Sequence, residues 1–172
     1  MNIYVLQYIC FECKNWFHSI CINHVLEESI VSFYSLFKEH YITPKIEICD
    51  KKIVRLLNET MLKRIFENIL SNAIKYSEYD FHVHMYSNGT VEFKNKTDKL
   101  DDGFIEISNK AKNLDKVSIG KLFDRYYTVK NAKKSNGIGL SIAKQLVELC
   151  NGEIKAKYEN HYLIIEIRFL ND

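Results

Sequence analysis

Apolar positions along the chain recur first at helical spacing and then at strand spacing. From His24 to His40 they fall every three or four residues, with acidic residues near the start and basic residues at the end, as the helix dipole favours. This pattern predicts one amphipathic helix over 24–40. Segments 45–49 and 53–57 alternate like short strands, and Asp50 with two lysines turns the chain between them.

The widest apolar stripe runs from Met61 to Tyr76, and Asn58 precedes it in the position of a helix N-cap. A second helix is predicted over 140–150, where Asn151-Gly152 ends it. Further strands are predicted at 81–86, 153–158 and 162–169. In the first of these, alternation places His82 and His84 together on the solvent face. Together these elements favour an α+β fold with helices on one face of a sheet.

Segments 91–102 and 105–116 resemble a small internal duplication, because both contain Glu, Asn-Lys and Leu-Asp at equivalent offsets. We therefore interpret one copy as an inserted strand. A short helix is predicted around 117–123, followed by an irregular basic loop up to Ser135.

The composition favours one folded domain with a tail. The chain has 172 residues, of which 47% are hydrophobic and one is proline, so it is neither disordered nor a low-complexity polymer. We assign 20–172 to the domain and 1–19 to an N-terminal tail or remnant helix. Residues 2–17 are mostly apolar. They form either a short helix that needs a partner surface or a tail. No stretch reaches the roughly 18 apolar residues of a membrane span.

The charge distribution limits the class of ligand, and the cysteine content indicates the redox compartment. The formal net charge is +2, yet segment 109–135 contains eight cations and two anions, a local excess of +6. This distribution suits a compact anionic ligand rather than nucleic acid, although a solvated loop gives the same pattern. The five cysteines are an odd number without a secretory signal, so we expect a reducing cytoplasm.

Cys10, Cys13, Cys21 and His24 are residue types that bind zinc. Their spacing is short for a zinc site and equally follows one apolar helical stripe. We favour the structural interpretation of this cluster.

Asn68, Asn72 and Lys75 fall on one flank of the predicted helix 61–76. Carboxamide oxygens bind hard cations and an ammonium group binds phosphate, so this flank fits a magnesium nucleotide. The alternative is that these residues are simply the solvent-exposed border of the apolar stripe. Gly137 and Gly139 open helix 140–150, where backbone N–H groups and the dipole favour an anion.

Three segments then resemble one family: ENILSNAIKYS (67–77), KLFDRYYTV (121–129) and NGIGLSIAKQLVELCNGEI (136–154). In that order they are similar to the N box, F box and second glycine box of sensor histidine kinases. The resemblance covers about 20–170 and implies their ATP-binding catalytic domain, of the superfamily shared with gyrase and the heat-shock chaperone ATPase. It implies a two-layer α/β sandwich, with helices on one face of a mixed, mostly antiparallel sheet.

By this resemblance Asn72 ligates Mg²⁺, Asn68 holds a metal-bound water, Lys75 reaches phosphate, and Tyr76 lines the ATP. Asn68 stands where hydrolysing relatives carry a glutamate base, which favours transfer to an imidazole over attack by water. The resemblance assigns further nucleotide contacts to the lid residues Phe123 and Lys133, to Asn109, and to Gly137, Ile138, Gly139 and Leu140.

Two departures from the family pattern follow. The first glycine box reads Asn109-Lys110-Ala111-Lys112-Asn113, which lacks both glycines and the adenine-reading carboxylate. Because Asn-Lys also occurs at 95–96, the position of the first glycine box stays open. None of the histidines lies in the phosphoacceptor motif; His18, for example, is followed by Ser-Ile-Cys.

We therefore expect a histidine kinase domain that phosphorylates a separate helical hairpin, in trans or in a parent chain. A response regulator would act downstream, and the parent kinase can be membrane-anchored. A related kinase acting on serine would have the same site. The alternative is a degenerate, non-catalytic nucleotide-binding or interaction module.

Overall fold

The computed structural model describes residues 17–77, 79–96, 121–124, 138–160 and 162–170. In chain order the elements are β1 (His18–Cys21), α1 (Ile22–Ser32), α2 (Tyr34–Glu39), β2 (Lys45–Ile48), β3 (Val54–Leu57), α3 (Glu59–Tyr76), β4 (Phe81–Met85), β5 (Thr90–Lys96), a 3-10 helix (Lys121–Phe123), α4 (Gly139–Leu149), β6 (Gly152–Glu159) and β7 (Tyr162–Phe169).

Among the described residues, the main sheet has five strands in the order β2-β4-β5-β7-β6. Of its four described pairs, β2–β4 is parallel and the other three are antiparallel. The predicted mixed, mostly antiparallel sheet is therefore confirmed. Strands β1 and β3 form a separate two-stranded antiparallel sheet.

The predicted strands at 45–49 and 53–57 are both present, but they join different sheets. The buried Asn23 side chain holds the loop between them. Its Nδ2 donates to the carbonyls of Cys49 and Lys51 at 3.0 and 3.1 Å, and its Oδ1 accepts from Ile53 N–H at 2.8 Å. These three bonds anchor the loop between β2 and β3 to α1.

Helix α3 forms as predicted and is the centre of the helical layer. The Asn58 side chain caps it by accepting from Met61 N–H at 2.9 Å, which satisfies one of the free N–H groups of the first turn. Its apolar stripe is buried, and the Phe66 ring lies 6.0 Å from the ring of Phe93 on β5. This contact joins the helical layer to the middle of the sheet.

Strand β4 shows how the sheet separates its two faces. Phe81, Val83 and Met85 are buried towards the helices, whereas the alternate His82 and His84 are partly exposed. The predicted histidine face is confirmed. Both imidazoles pair with carboxylates: His82 Nε2 lies 2.8 Å from Asp80, and His84 Nδ1 lies 3.0 Å from Glu47.

The single helix predicted over 24–40 is wrong, because α1 ends at Ser32 and α2 begins at Tyr34. The Ser32 hydroxyl donates to the Ser29 carbonyl at 2.7 Å, the acceptor that Phe33 N–H would need in a continuous helix. Phe33 N–H instead bonds the Ile30 carbonyl at 3.1 Å. The Ser32 hydroxyl bond therefore coincides with the residue at which the helical ladder is interrupted.

Helix α4 ends where the sequence predicts. Asn151 takes the left-handed conformation with φ 52°, and the chain then enters β6 at Gly152. A Cβ on Gly152 would lie 3.0 Å from the Arg168 carbonyl, so glycine permits the close approach of β6 to β7 here.

Some predictions fall outside the described residues. They are residues 1–16, the end of the first copy of the duplication at 97–102, its second copy at 105–116, the basic loop 125–135, and the part of the helix 117–123 that precedes Lys121. Within the described ranges, no helix has the length and apolarity needed to cross a bilayer.

Candidate functional site

The first turn of α4 lies against the second half of α3. A Cβ placed on Gly139 would be 3.3 Å from Asn72 Nδ2, 3.8 Å from Asn72 Oδ1 and 3.5 Å from Asn68 Oδ1. Two of the residues predicted on the flank of helix 61–76 therefore meet the glycine predicted at the start of helix 140–150. The structure brings these three residues into one surface.

The carboxamide of Asn68 is oriented by its own helix. Its Nδ2 donates to the Arg64 carbonyl at 2.7 Å, which leaves Oδ1 on the side of Gly139. Asn68 and Asn72 are both half-buried, so they border the core without filling it. The arrangement presents carboxamide oxygen at the junction of the two helices.

The N-terminus of α4 supplies hydrogen-bond donors beside these oxygens. Ile138 occupies the N-cap without a side-chain cap, and it is 36% exposed. The first N–H groups of a helix lack partners within the helix, and the dipole makes this end positive. The Ser141 hydroxyl bonds back to the Ile138 carbonyl at 2.8 Å and fixes the turn. Leu140 packs at the border of the core.

Lys75 and Tyr76 lie in the last turn of α3. The Lys75 Nζ is 5.6 Å from the centre of the Tyr76 ring, and both side chains are half-buried. A cation over an aromatic face is attracted electrostatically. These predicted site residues are therefore neighbours, one to two turns beyond Asn68 and Asn72.

The 3-10 helix carries the predicted lid residue Phe123 against α4. The Lys144 Nζ lies 5.7 Å from the centre of the Phe123 ring. Phe123 is thereby linked to the helix that starts at Gly139. Lys133, Gly137 and Asn109 lie outside the described residues, so their predicted roles are not placed by the structure.

Sequence reasoning left one residue unassigned. Asn95 on β5 is only 6% exposed, and its Oδ1 has no hydrogen-bond partner among the described residues. The Ser77 hydroxyl, directly after α3, is likewise buried without a partner. Buried polar groups in folded proteins are almost always paired, so each of these two atoms needs a partner that the described residues do not supply. The repeat of Asn-Lys at 95–96 and 109–110 was the sequence signal for this position.

Asp80 ties the strands together at this end of the sheet. The Tyr162 hydroxyl donates to Asp80 Oδ2, and the Asp80 carbonyl accepts from Lys96 N–H at 2.9 Å. The hydrogen bond from Tyr162 is the largest cause that lowers the pKa of Asp80, ahead of His82, whereas burial opposes it. The carboxylate is therefore ionised and fixed beside the end of β5.

The zinc hypothesis for the N-terminal cluster gains no support from the described part. Cys10 and Cys13 lie outside it, Cys21 Sγ is 3.7 Å from Asn23 Oδ1, and His24 Nε2 is 3.1 Å from Glu28. Among the described residues, no group of three or more His, Cys, Asp or Glu side chains is arranged to hold a metal.

Residues 57–169 match the family of histidine kinase-, DNA gyrase B- and HSP90-like ATPases. The match covers about two thirds of the chain and includes both helices of the site. The chain therefore belongs to this ATPase family, as the resemblance of its three sequence boxes predicts.

Within the family, the chain is similar to sensor histidine kinases. It is 26% identical to WalK of Bacillus subtilis over 131 residues, which are 74% of this chain and 20% of WalK. It is 36% identical to YvrG of the same organism over 101 residues, 57% of this chain and 16% of YvrG. VanSC of Enterococcus gallinarum is 24% identical over 148 residues, 84% of this chain and 38% of VanSC. The chain thus spans a minor part of these relatives.

Solved structures show the same fold. The nucleotide-free catalytic domain of the histidine kinase ThkA aligns with a TM-score of 0.68 at 18% identity, covering 88% of this chain and 93% of that domain. Full-length ShkA in complex with AMPPNP aligns with a TM-score of 0.63 at 16% identity, covering 91% of this chain and 32% of ShkA. The predicted α/β sandwich is confirmed.

Proposed function

We propose that this chain is the ATP-binding catalytic domain of a two-component sensor histidine kinase. It transfers the γ-phosphoryl group of Mg-ATP to a histidine on a dimerising helical hairpin, and a response regulator acts downstream. Its place is the cytoplasm, where ATP is available, and residues 20–172 form its domain.

The observation that carries the proposal is the contact of Gly139 with Asn72 and Asn68. A side chain at 139 would occupy the space at the start of α4 that both carboxamides border. Glycine leaves this space open beside helix N–H groups, where phosphate oxygens are stabilised. The family match over 57–169 and the similarity to sensor kinases support the nucleotide as the occupant.

The residues present fit a magnesium ion. Mg²⁺ takes oxygen ligands, usually one or two from the protein together with waters and substrate phosphates. Asn72 would supply a carboxamide oxygen and Asn68 would orient a water, as both border the same space. The bound ion would neutralise charge on the phosphates.

The chain's own residues then position the phosphoryl group. The helix N-terminus at Ile138–Gly139 binds the phosphates, and Lys75 adds a positive charge from the last turn of α3. Asn68 holds water in place without removing a proton, since a carboxamide is not a base. An imidazole nucleophile needs no such base, so this site favours phosphoryl transfer over hydrolysis.

Binding of a fluorescent ATP analogue with and without Mg²⁺ tests the first part of the proposal. We expect saturable binding that Mg²⁺ strengthens and that unlabelled ATP competes away. Lack of binding would reject the kinase function and leave the non-catalytic interaction module.

Labelling with γ-phosphate-labelled ATP tests the second part. We expect slow hydrolysis and no self-labelling, because none of the six histidines lies in an acceptor motif. Addition of the native hairpin domain should place label on its histidine. Tight ATP binding with no labelling of that hairpin would identify a nucleotide-binding module that has lost transfer.

A further inference from the structure

Asn95 occupies the end of β5 that lies beneath the C-terminal half of α3. Its neighbours across the sheet are Phe81 on β4 and Leu163 on β7. Helix α3 ends at Tyr76 and the chain enters β4 at Phe81, so the last turn of α3 must lie above this end of the sheet. Asn95 is therefore on the same interlayer side as Asn72 and Lys75.

The Asn95 side chain points towards the helices. Val91 and Phe93 alternate with it as buried residues of β5, whereas Glu92 and Lys94 face the other side. Within the described part of the chain, its Oδ1 is buried without a partner, and so is the Ser77 hydroxyl just after α3. An acceptor buried in this way is costly unless a donor reaches it. Among the described residues, the structure thus leaves a buried carboxamide oxygen unpaired below the last turn of α3.

We propose, on the basis of the function proposed above, that Asn95 contacts the base of the nucleotide and that the site accepts guanine as well as adenine nucleotides. Asn95, rather than Asn109, is then the residue that determines base specificity. The phosphates lie at Gly139, and the base extends towards the Ser77 and Asn95 end of α3.

The reason is the chemistry of the side chain. Adenine presents an amine donor beside a ring nitrogen acceptor, whereas guanine presents the O6 acceptor at the equivalent place. An ionised carboxylate only accepts hydrogen bonds, so it selects the adenine amine and repels O6. A carboxamide both donates and accepts, and a half-turn about its terminal torsion exchanges the two groups. Asn95 can therefore satisfy either purine.

Competition binding with ATP, GTP and CTP on the complete chain tests this proposal. We expect the dissociation constants of ATP and GTP to agree within about tenfold, and CTP to bind at least tenfold more weakly because its single ring does not reach the same contacts. One correct bidentate contact typically discriminates between bases by roughly ten- to one-hundred-fold. ATP binding with GTP weaker by more than about one-hundred-fold would overturn the inference and leave the kinase proposal intact.

Two substitutions identify the residue. Asn95→Asp should shift the GTP-to-ATP ratio of dissociation constants at least tenfold in favour of ATP. Asn95→Ala should weaken the binding of ATP and GTP by similar factors. This variant keeps the test decisive if Asn95→Asp impairs folding. Asn160→Asp adds the same charge at an exposed residue and should leave the ratio unchanged.

An unchanged ratio in a folded Asn95→Asp variant, or equal binding of CTP, would overturn the assignment to Asn95. If no nucleotide binds at all, both this inference and the proposed function fail. Circular dichroism of each variant establishes that the compared proteins are folded.

Discussion

Gly139 lies so close to Asn72 that a methyl group at position 139 would come within 3.3 Å of the carboxamide nitrogen. The two residues belong to helices that are far apart in the sequence. Their contact joins the N-terminus of α4, where we propose that phosphate binds, to the proposed oxygen ligands of α3. In this proposal, nucleotide binding and helix packing depend on the same small gap.

The substitution Gly139→Ala should lower Mg-ATP affinity by about tenfold while leaving the thermal midpoint nearly unchanged. The added methyl group shifts the Asn72 side chain by a few tenths of an ångström and fills the space beside Asn68, but alanine favours helix by up to about 1 kcal/mol over glycine. Calorimetric titration and thermal melts measure the two effects. Gly152→Ala is the contrasting variant, because its methyl group would meet the Arg168 carbonyl and Val147 at 3.0 Å. It should destabilise the fold, and equal effects of both variants on affinity would contradict this prediction.

Asn72→Ala should abolish the effect of Mg²⁺ on nucleotide binding with little loss of stability. Asn72 borders the apolar stripe and is only half-buried, so its removal leaves no large cavity. The substitution removes the carboxamide oxygen that we propose as a Mg²⁺ ligand. Titration of ATP with and without Mg²⁺ measures the effect, and the exposed neighbour Ser71→Ala is the control. A Mg²⁺ effect retained in Asn72→Ala would remove Asn72 from the site.

Asn58→Ala should lower the free energy of unfolding by about 1 kcal/mol, the usual cost of losing a helix N-cap. The side chain is buried and caps Met61 N–H, which alanine leaves without that acceptor. Urea denaturation measures the change. The exposed Thr60→Ala in the same turn should cost less, and an equal cost would show that the cap contributes nothing specific.

Tyr162→Phe should weaken the fold at neutral pH by about 1 kcal/mol, because Asp80 loses a hydrogen bond to its charged form. The hydrogen bond from Tyr162 is the first cause of the lowered pKa of Asp80, whose ordinary value is 3.8. A depressed pKa stabilises the fold above pH 3.8, and this contribution is lost as the pH falls through the lowered value. The variant should therefore lose less stability than the parent protein on acidification.

Urea unfolding at neutral pH and at a series of values below pH 4 gives both quantities. The control is Tyr41→Phe, since Tyr41 is 82% exposed. Parallel pH curves for the parent protein and Tyr162→Phe would contradict the role given to this hydrogen bond.

Local patterns were sufficient to predict most elements and half of the site. Helix α3 and strand β4 could be predicted because each buries one face, and a buried face shows in the sequence as a periodic pattern of apolar residues. Asn68, Asn72 and Gly139 could be grouped because their motif spacing resembles a known family. The site residues Asn109, Lys133 and Gly137 stay predictions.

Other features involve side-chain hydrogen bonds that periodicity does not report. The Ser32 hydroxyl bonds at the break near Phe33, and the Asn23 side chain bonds to the loop that separates β2 from β3. A role for Asn95 could not be predicted from the sequence. Its Oδ1 is buried without a partner among the described residues, and only the packed structure shows this.

The last strand in the sequence, β7, lies inside the sheet between β5 and β6. During translation, β5 and β6 therefore cannot be joined in the main sheet until residues 162–169 have left the ribosome. Until then the nascent chain displays the unpaired edge of β5, a template for pairing with other chains. A premature stop before Tyr162 would yield a product that aggregates instead of a shorter working domain.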